Sequence, residues 1–259
     1  MKLYAHRTIL CIIYLSLFTT LILSQEKTKD QLFYIHEEVA KIDKIDQYEA
    51  ASKEFIKLFS DEKLDVPGIY ASESEDFHFY YLVPISNYAD IDKLSAAFGS
   101  AFKNADQTKM NQMMHDGDEA TEYTRDLVFK RSAELSYNPS VKSGFDSTMK
   151  FIHWDFYLFK PEDRKQVMDL GAQIKKLYTD KKIKTPFEVW FADFGEKNNL
   201  IVVTTEAKDA VDFYQTTNSD NAMLGKDMDA IWKKMSPMLE HFEDKNGYIR
   251  PDLSYMKSK

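Results

Sequence analysis

The chain of 259 residues contains one cysteine, eight glycines and seven prolines. Cys11 lies inside an apolar run from Thr8 to Leu23. Beyond that run there is no thiol, which excludes disulfides, thiolate nucleophiles and thiolate metal ligands from the body of the protein. With glycine so scarce, no phosphate-cradling loop is present, and no G-x-S-x-G elbow occurs. Positive charge is also short: 34 Lys and Arg stand against 42 Asp and Glu, a net charge of -8. An acidic chain repels phosphate backbones, which argues against a nucleic-acid partner.

Residues 1–24 read as a secretory signal peptide. Lys2 and Arg7 precede the apolar run, and Ser24-Gln25 follows it. Cleavage there would remove the cysteine and this apolar run, whose retention as a membrane anchor is the alternative. It would also take Lys and Arg from 34 to 32 against 42 acids, moving the net charge from -8 to -10. The expected mature protein is periplasmic or extracellular, with no stable membrane span.

What the remaining chain has is aromatics, 14% overall, and a repeated pattern. Tyr34-Ile35-His36 returns as Phe151-Ile152-His153, and Leu135-Ser136-Tyr137 returns as Leu253-Ser254-Tyr255. Tyr48, Ala51, Phe55, Leu58 and Phe59 fall on one helical face. Val167, Leu170, Ile174, Leu177 and Tyr178 take the same five places 119 residues later. The pattern predicts two modules, 25–138 and 150–259, joined by a linker at 139–149.

Each module reads strand, helix, strand, strand, helical region, strand. The predicted second strands are Ile69 to Glu73 and Phe187 to Asp193. The third are Phe77 to Pro84 and Leu200 to Thr205, and the last run from about Val128 to Tyr137 and Tyr248 to Met256. Asp116-Gly117-Asp118 and Ser236-Pro237 are expected to end the methionine-rich helices before them. A β-α-β-β-α-β order is the ferredoxin-like plan, whose sheet leaves one face to be covered by another layer.

On that element order and duplication, the chain resembles a fused version of the dimeric α/β-barrel superfamily, in which two such sheets close around a central space. The resemblance implies an α+β fold of two tandem modules. It spans 25–259 and rests on no diagnostic motif, so it carries over no catalytic residue. The superfamily includes monooxygenases and haem-binding members, and the resemblance leaves cofactor use unknown.

The repeated His-x-carboxylate is the best candidate for chemistry. Alternation places Tyr34, His36 and Glu38 on one face of the first strand, and Phe151, His153, Asp155 and Tyr157 on one face of its counterpart. A carboxylate two residues from an imidazole can orient and charge it, as general-base chemistry requires. The more apolar face of the second copy is expected to pack on the helices, leaving the histidines toward the space between the sheets. Brought together there by a pseudo-twofold axis, the two pairs would make a divalent-metal set. Inheritance from one ancestral residue is the simpler account. Tyr70, His78, Tyr80 and Trp190 complete the candidate ligand-binding set.

His36-Glu37-Glu38-Val39-Ala40 begins like a zinc-protease helix but lacks the second histidine. Asp193-Phe194-Gly195 spells a kinase metal loop without its companions. His115 and His241 fall on acidic stretches expected to be helical and exposed. The leading expectation is a monomer or homodimer binding a small apolar or aromatic ligand between the sheets. Alternatives are an enzyme of monooxygenase-like or haem- or metal-dependent type using His36 or His153, and an interaction module with a filled barrel.

Overall fold

The computed structural model describes residues 29–139 and 148–257. The proposed signal segment lies outside this range, as does most of the expected linker. The first half holds strands β1 (Gln31–Ala40), β2 (Gly68–Ser74), β3 (His78–Ile85) and β4 (Thr121–Arg131), with helices α1 (Ile45–Asp61), α2 (Asp90–Asn104) and α3 (Gln107–Ala120). The second half holds β5 (Phe151–Phe159), β6 (Glu188–Phe194), β7 (Leu200–Ala207) and β8 (Leu239–Ile249), with α4 (Arg164–Lys181) and α5 (Ala210–Met235). A short strand β9 (Tyr255–Met256) follows.

All pairings are antiparallel, in the order β3-β1-β4-β6-β7-β5-β8-β2, and β2 pairs back with β3. Eight strands therefore close into a barrel, which leaves no open edge among them. The order is β2-β3-β1-β4 within the first half and β6-β7-β5-β8 within the second. The seams between halves are β4–β6 and β2–β8. No helix among the described residues is long and apolar enough to cross a membrane.

Matching contacts recur in the two halves. The Tyr137 hydroxyl donates to the Ile183 carbonyl at 2.7 Å, and the Tyr255 hydroxyl to the Leu64 carbonyl at 2.9 Å. Ser136 accepts from the Val189 amide as Ser254 accepts from the Ala71 amide, both at 2.9 Å.

The inside of the barrel is packed with side chains from both halves. Ile35, Leu127, Phe129, Ile152, Trp154, Trp190, Val202 and Ile249 form one buried cluster, with Phe33, Tyr80, Leu82 and Phe156 against it. Burying each large apolar side chain contributes roughly 1.5–3 kcal/mol. Outside, α1 and α2 cover the first half through Phe55, Phe59, Leu94 and Phe102. In the second half α4 and α5 pack through Val167, Leu170, Ile231 and Met235.

Gly247 shows how tightly β8 meets its neighbours. A Cβ there would lie 1.9 Å from the Glu73 carbonyl oxygen and 2.7 Å from the Trp154 ring. No other residue type fits without moving β2 or Trp154. At Gly225 the backbone turns to φ +49°, kinking α5 at a residue with open space around it.

Two expectations are corrected. Helix α3 does not stop at Asp116-Gly117-Asp118 but runs to Ala120, and β4 starts at Thr121 instead of near Val128. Likewise β8 starts at Leu239 rather than Tyr248, which puts His241 on a strand. Both strands open with exposed, mostly polar residues, Glu122 to Asp126 and Glu240 to Asp244. They are held by pairing with β1 and β5, not by burial, so no apolar alternation marks them.

Candidate functional site

The face expected to look between the sheets looks outward, under the helices. Ile35 and Trp154 pack inside the barrel, so their strand neighbours Tyr34, His36, Glu38, Phe151, His153, Asp155 and Tyr157 lie on its outer surface. Alternation was correct, but the inner and outer assignments are reversed. The more apolar face of β5 is inner because the lumen, filled from both halves, is the drier of the two layers. Since β1 and β5 sit opposite each other in the ring, the barrel wall separates His36 from His153. The two pairs cannot share a metal ion.

In the first half, α1 and α3 leave a cavity of about 280 Å3 over β1 and β4. Its wall includes Glu38, Tyr48, Ser52, Phe55, Met114, Gly117, Asp118 and Tyr123. Glu38 is held on both sides. The Tyr48 hydroxyl donates to one carboxylate oxygen, and His36 Nε2 lies 3.2 Å from the other. The Tyr81 hydroxyl lies 2.9 Å from that of Tyr48. Behind Glu38, His36 Nδ1 reaches Asp126 at 2.7 Å, and the Tyr34 hydroxyl donates to the same oxygen at 2.6 Å. An unbroken hydrogen-bond chain thus runs from Tyr81 through Tyr48 and Glu38 on the cavity wall to Asp126, which is 61% exposed.

Burial of the His36 ring opposes its charge, but the hydrogen bonds to Glu38 and Asp126 outweigh that and raise its pKa to about 9. At neutral pH it is an imidazolium donating from both nitrogens. Burial also opposes the charge on Asp126, yet bonds from Tyr34 and His36 hold it below the usual carboxylate range. Burial, together with the neighbouring Tyr81 and the Glu38 carboxylate, pushes the Tyr48 hydroxyl well above the usual tyrosine value. It acts as a donor, not as a phenolate.

The second half repeats the frame with different groups. His153 Nδ1 meets Asn246 at 2.8 Å and Nε2 meets Asp155 at 3.3 Å. Burial opposes its charge and the bonds to Asp155 and Asn246 raise its pKa. The Phe213 ring lies 4.6 Å from the imidazole, occupying the space beside it. Tyr157 is stacked on Phe242 at 5.1 Å and packs on Trp232 at 5.7 Å. Phe151 packs on Phe213 and Ala207.

The other candidates face the lumen. Trp190 packs on Phe33 at 5.1 Å and Tyr80 on Trp154 at 5.8 Å, while Tyr70 sits opposite Leu82. His78 Nδ1 bonds Glu37 at 2.6 Å, and Arg125 reaches the other Glu37 oxygen. Glu37 is 0% exposed, and burial works against its charge. The bonds from His78 and Arg125 reverse that and hold its pKa below the ordinary value. These residues hold the barrel together. Tyr48, Asp126 and Ser52 were missed as site residues. Asp126 falls before the expected start of β4, and Tyr48 sits on an apolar helical face that gives no sign of its bond to Glu38.

A haem would need an imidazole nitrogen free to face open space. His36 is engaged by Glu38 and Asp126, His153 by Asp155 and Asn246, and His78 by Glu37 with Asp76 3.5 Å away. His115 and His241 are exposed. The described residues also hold no cluster of three or more metal-ligating groups. These side chains do not fit a haem or a bound metal.

No family model matches the chain, and no curated protein matches it in sequence. Solved structures do match its fold. An anthrone oxidase-like protein superposes with a TM-score of 0.62 at 9% identity, covering 90% of this chain and 96% of that one. A candidate monooxygenase from Fusobacterium nucleatum subsp. nucleatum gives 0.55 at 13% identity, covering 86% and 93%. A chlorite dismutase variant from Candidatus Nitrospira defluvii gives 0.51 at 12% identity, covering 85% and 92%. The fold is that of the dimeric α/β-barrel superfamily, with both halves supplied by one chain. At these identities the likeness concerns the fold alone.

Proposed function

We propose that this protein is an oxidative enzyme of the monooxygenase type, acting on a small aromatic substrate in the first-half cavity. The observation that carries this is Glu38, a carboxylate on the cavity wall backed by a hydrogen-bond chain that leads to exposed Asp126. The cavity lies just below the roughly 300–1,000 Å3 typical of ligand sites, which suits a body of one or two rings. Glu38 accepts a proton from a substrate hydroxyl or an acidic C–H. His36, bonded to Glu38 and Asp126 together, fixes that carboxylate in place for the step. Loss of that proton leaves an electron-rich phenolate or carbanion, the form that dioxygen oxidises. The names borne by two of the fold neighbours support this over simple binding.

The test is oxygen uptake by the purified protein with a panel of phenols and anthrones. Turnover is expected to fall about 10²–10³-fold in Glu38→Gln and to persist in Asp155→Asn, its second-half counterpart. No uptake with any member of the panel would overturn the oxidative reading. Ligand binding without turnover, which the same cavity supports, would then be the better account.

We also propose that the halves descend from one ferredoxin-like module duplicated in tandem, a reading supported by the matched strand orders and tyrosine bonds. Residues 1–24 are proposed to direct export. A mature N-terminus at Gln25, read by mass spectrometry from the native host, is the expected result.

A further inference from the structure

Among the described residues, the cavity wall carries two carboxylates, Glu38 and Asp118, and no lysine, arginine or histidine. The His36 ring lies next to Glu38 and is held between it and Asp126. Both of its ring nitrogens are thus taken up by acids. At the rim Asp118 is exposed and has no ion pair among the described residues. Lys44 is engaged by Glu119 at 2.6 Å, and the Lys41 ammonium is held by the Glu119 carbonyl at 2.8 Å. The rest of the wall includes the aromatic side chains of Tyr48, Phe55 and Tyr123, whose ring faces attract cations.

Resting on the reading of this cavity as the substrate site, we infer that it selects an organic cation: an aromatic body bearing a protonated amine. A substrate carboxylate or phosphate would meet Glu38 with no counter-charge and lose its hydration without replacement. An ammonium group reaching the rim gains Asp118, and one reaching the floor gains Glu38.

Three phenols of similar size test this by calorimetric binding: tyramine, the neutral alcohol tyrosol, and 4-hydroxyphenylacetate. Tyramine is expected to bind at least about tenfold more tightly than the acid, with tyrosol between them, and its advantage should shrink with salt. Asp118→Lys changes an exposed residue and should narrow or invert the order. Gly117→Leu serves to locate the site. A Cβ there would make ordinary contact with Phe55 at 3.8 Å, so the helix is kept while the longer side chain fills the cavity and binding of all three probes is lost.

Equal affinities, a tighter acid, or no tyramine binding at millimolar concentration would overturn the inference. So would a preference for tyramine that survives in Gly117→Leu, since the cation would then be held elsewhere. The oxidative reading fails by a different measurement. Equal binding with oxygen uptake would leave it standing, while a strong preference for tyramine without uptake would remove it alone.

Discussion

His36 and His153 occupy matching places in the two halves and make matching bonds, yet one of the two partners and the space around the ring differ. His36 lies between two carboxylates, Glu38 and Asp126. His153 lies between one carboxylate and an amide, Asp155 and Asn246. Above the first, Tyr48 reaches down from α1 and a cavity opens. Beside the second, Phe213 fills the space. The strands set where an imidazole sits, and the neighbouring elements decide whether it serves a cavity or a core.

The lumen shows the same division of labour. Glu37 faces Arg125 across β1 and β4, while at the matching place in β5 and β8 Trp154 faces Lys245. Opposite Ile35 stands Leu127, and opposite Ile152 stands Gly247. The second half gives up a side chain on β8 to make room for an indole.

The largest effect should come from disturbing that exchange. Gly247→Ala forces β2 or Trp154 to move and is expected to cost about 3 kcal/mol in chemical denaturation. A loss under about 0.5 kcal/mol, the range of an ordinary surface substitution, would mean that the seam adjusts freely.

Swapping the polar groups probes the histidines directly. Asp126→Asn gives the first half the second half's groups, so the His36 pKa should fall from about 9 toward the ordinary imidazole value. Asn246→Asp should raise that of His153. NMR titration of the ring protons reads both, and unchanged values in the two variants would break the proposed equivalence. The linked stability has a definite sign. Because the folded value of His36 lies above the unfolded one, its contribution is fully present below about pH 6.5 and is lost as pH rises through about 9. Wild type and Asp126→Asn should therefore differ most below that window and converge above it.

The smallest change is Tyr48→Phe. It removes one hydroxyl from Glu38 and Tyr81, and about 1 kcal/mol is expected in the same denaturation measurement. Val167, the matching residue of α4, has no hydroxyl to lose. Tyr48→Phe should nevertheless slow turnover, whereas Val167→Ala should lower stability alone.

Much of the barrel was legible because burial writes a period into the chain. The five-residue faces of α1 and α4 and the alternation of β1 and β5 were readable for that reason. The polar openings of β4 and β8 were not, since pairing alone carries no side-chain signature, and Asp126 was lost with them. Which face of β1 turns inward was also beyond reach. His36 and Glu37 are neighbours of similar polarity, and the fully buried one is Glu37. A buried carboxylate is hidden from sequence reading when its partners, His78 and Arg125, come from other strands.

Both seams of the barrel, β2 with β8 and β4 with β6, join the first half to the second. In an assembly of separate subunits such seams form by collision, and dilution opens them. Here the tether holds each half near the other at an effective concentration on the order of millimolar. Closure is then unimolecular, and the midpoint of unfolding should stay the same as the protein is diluted.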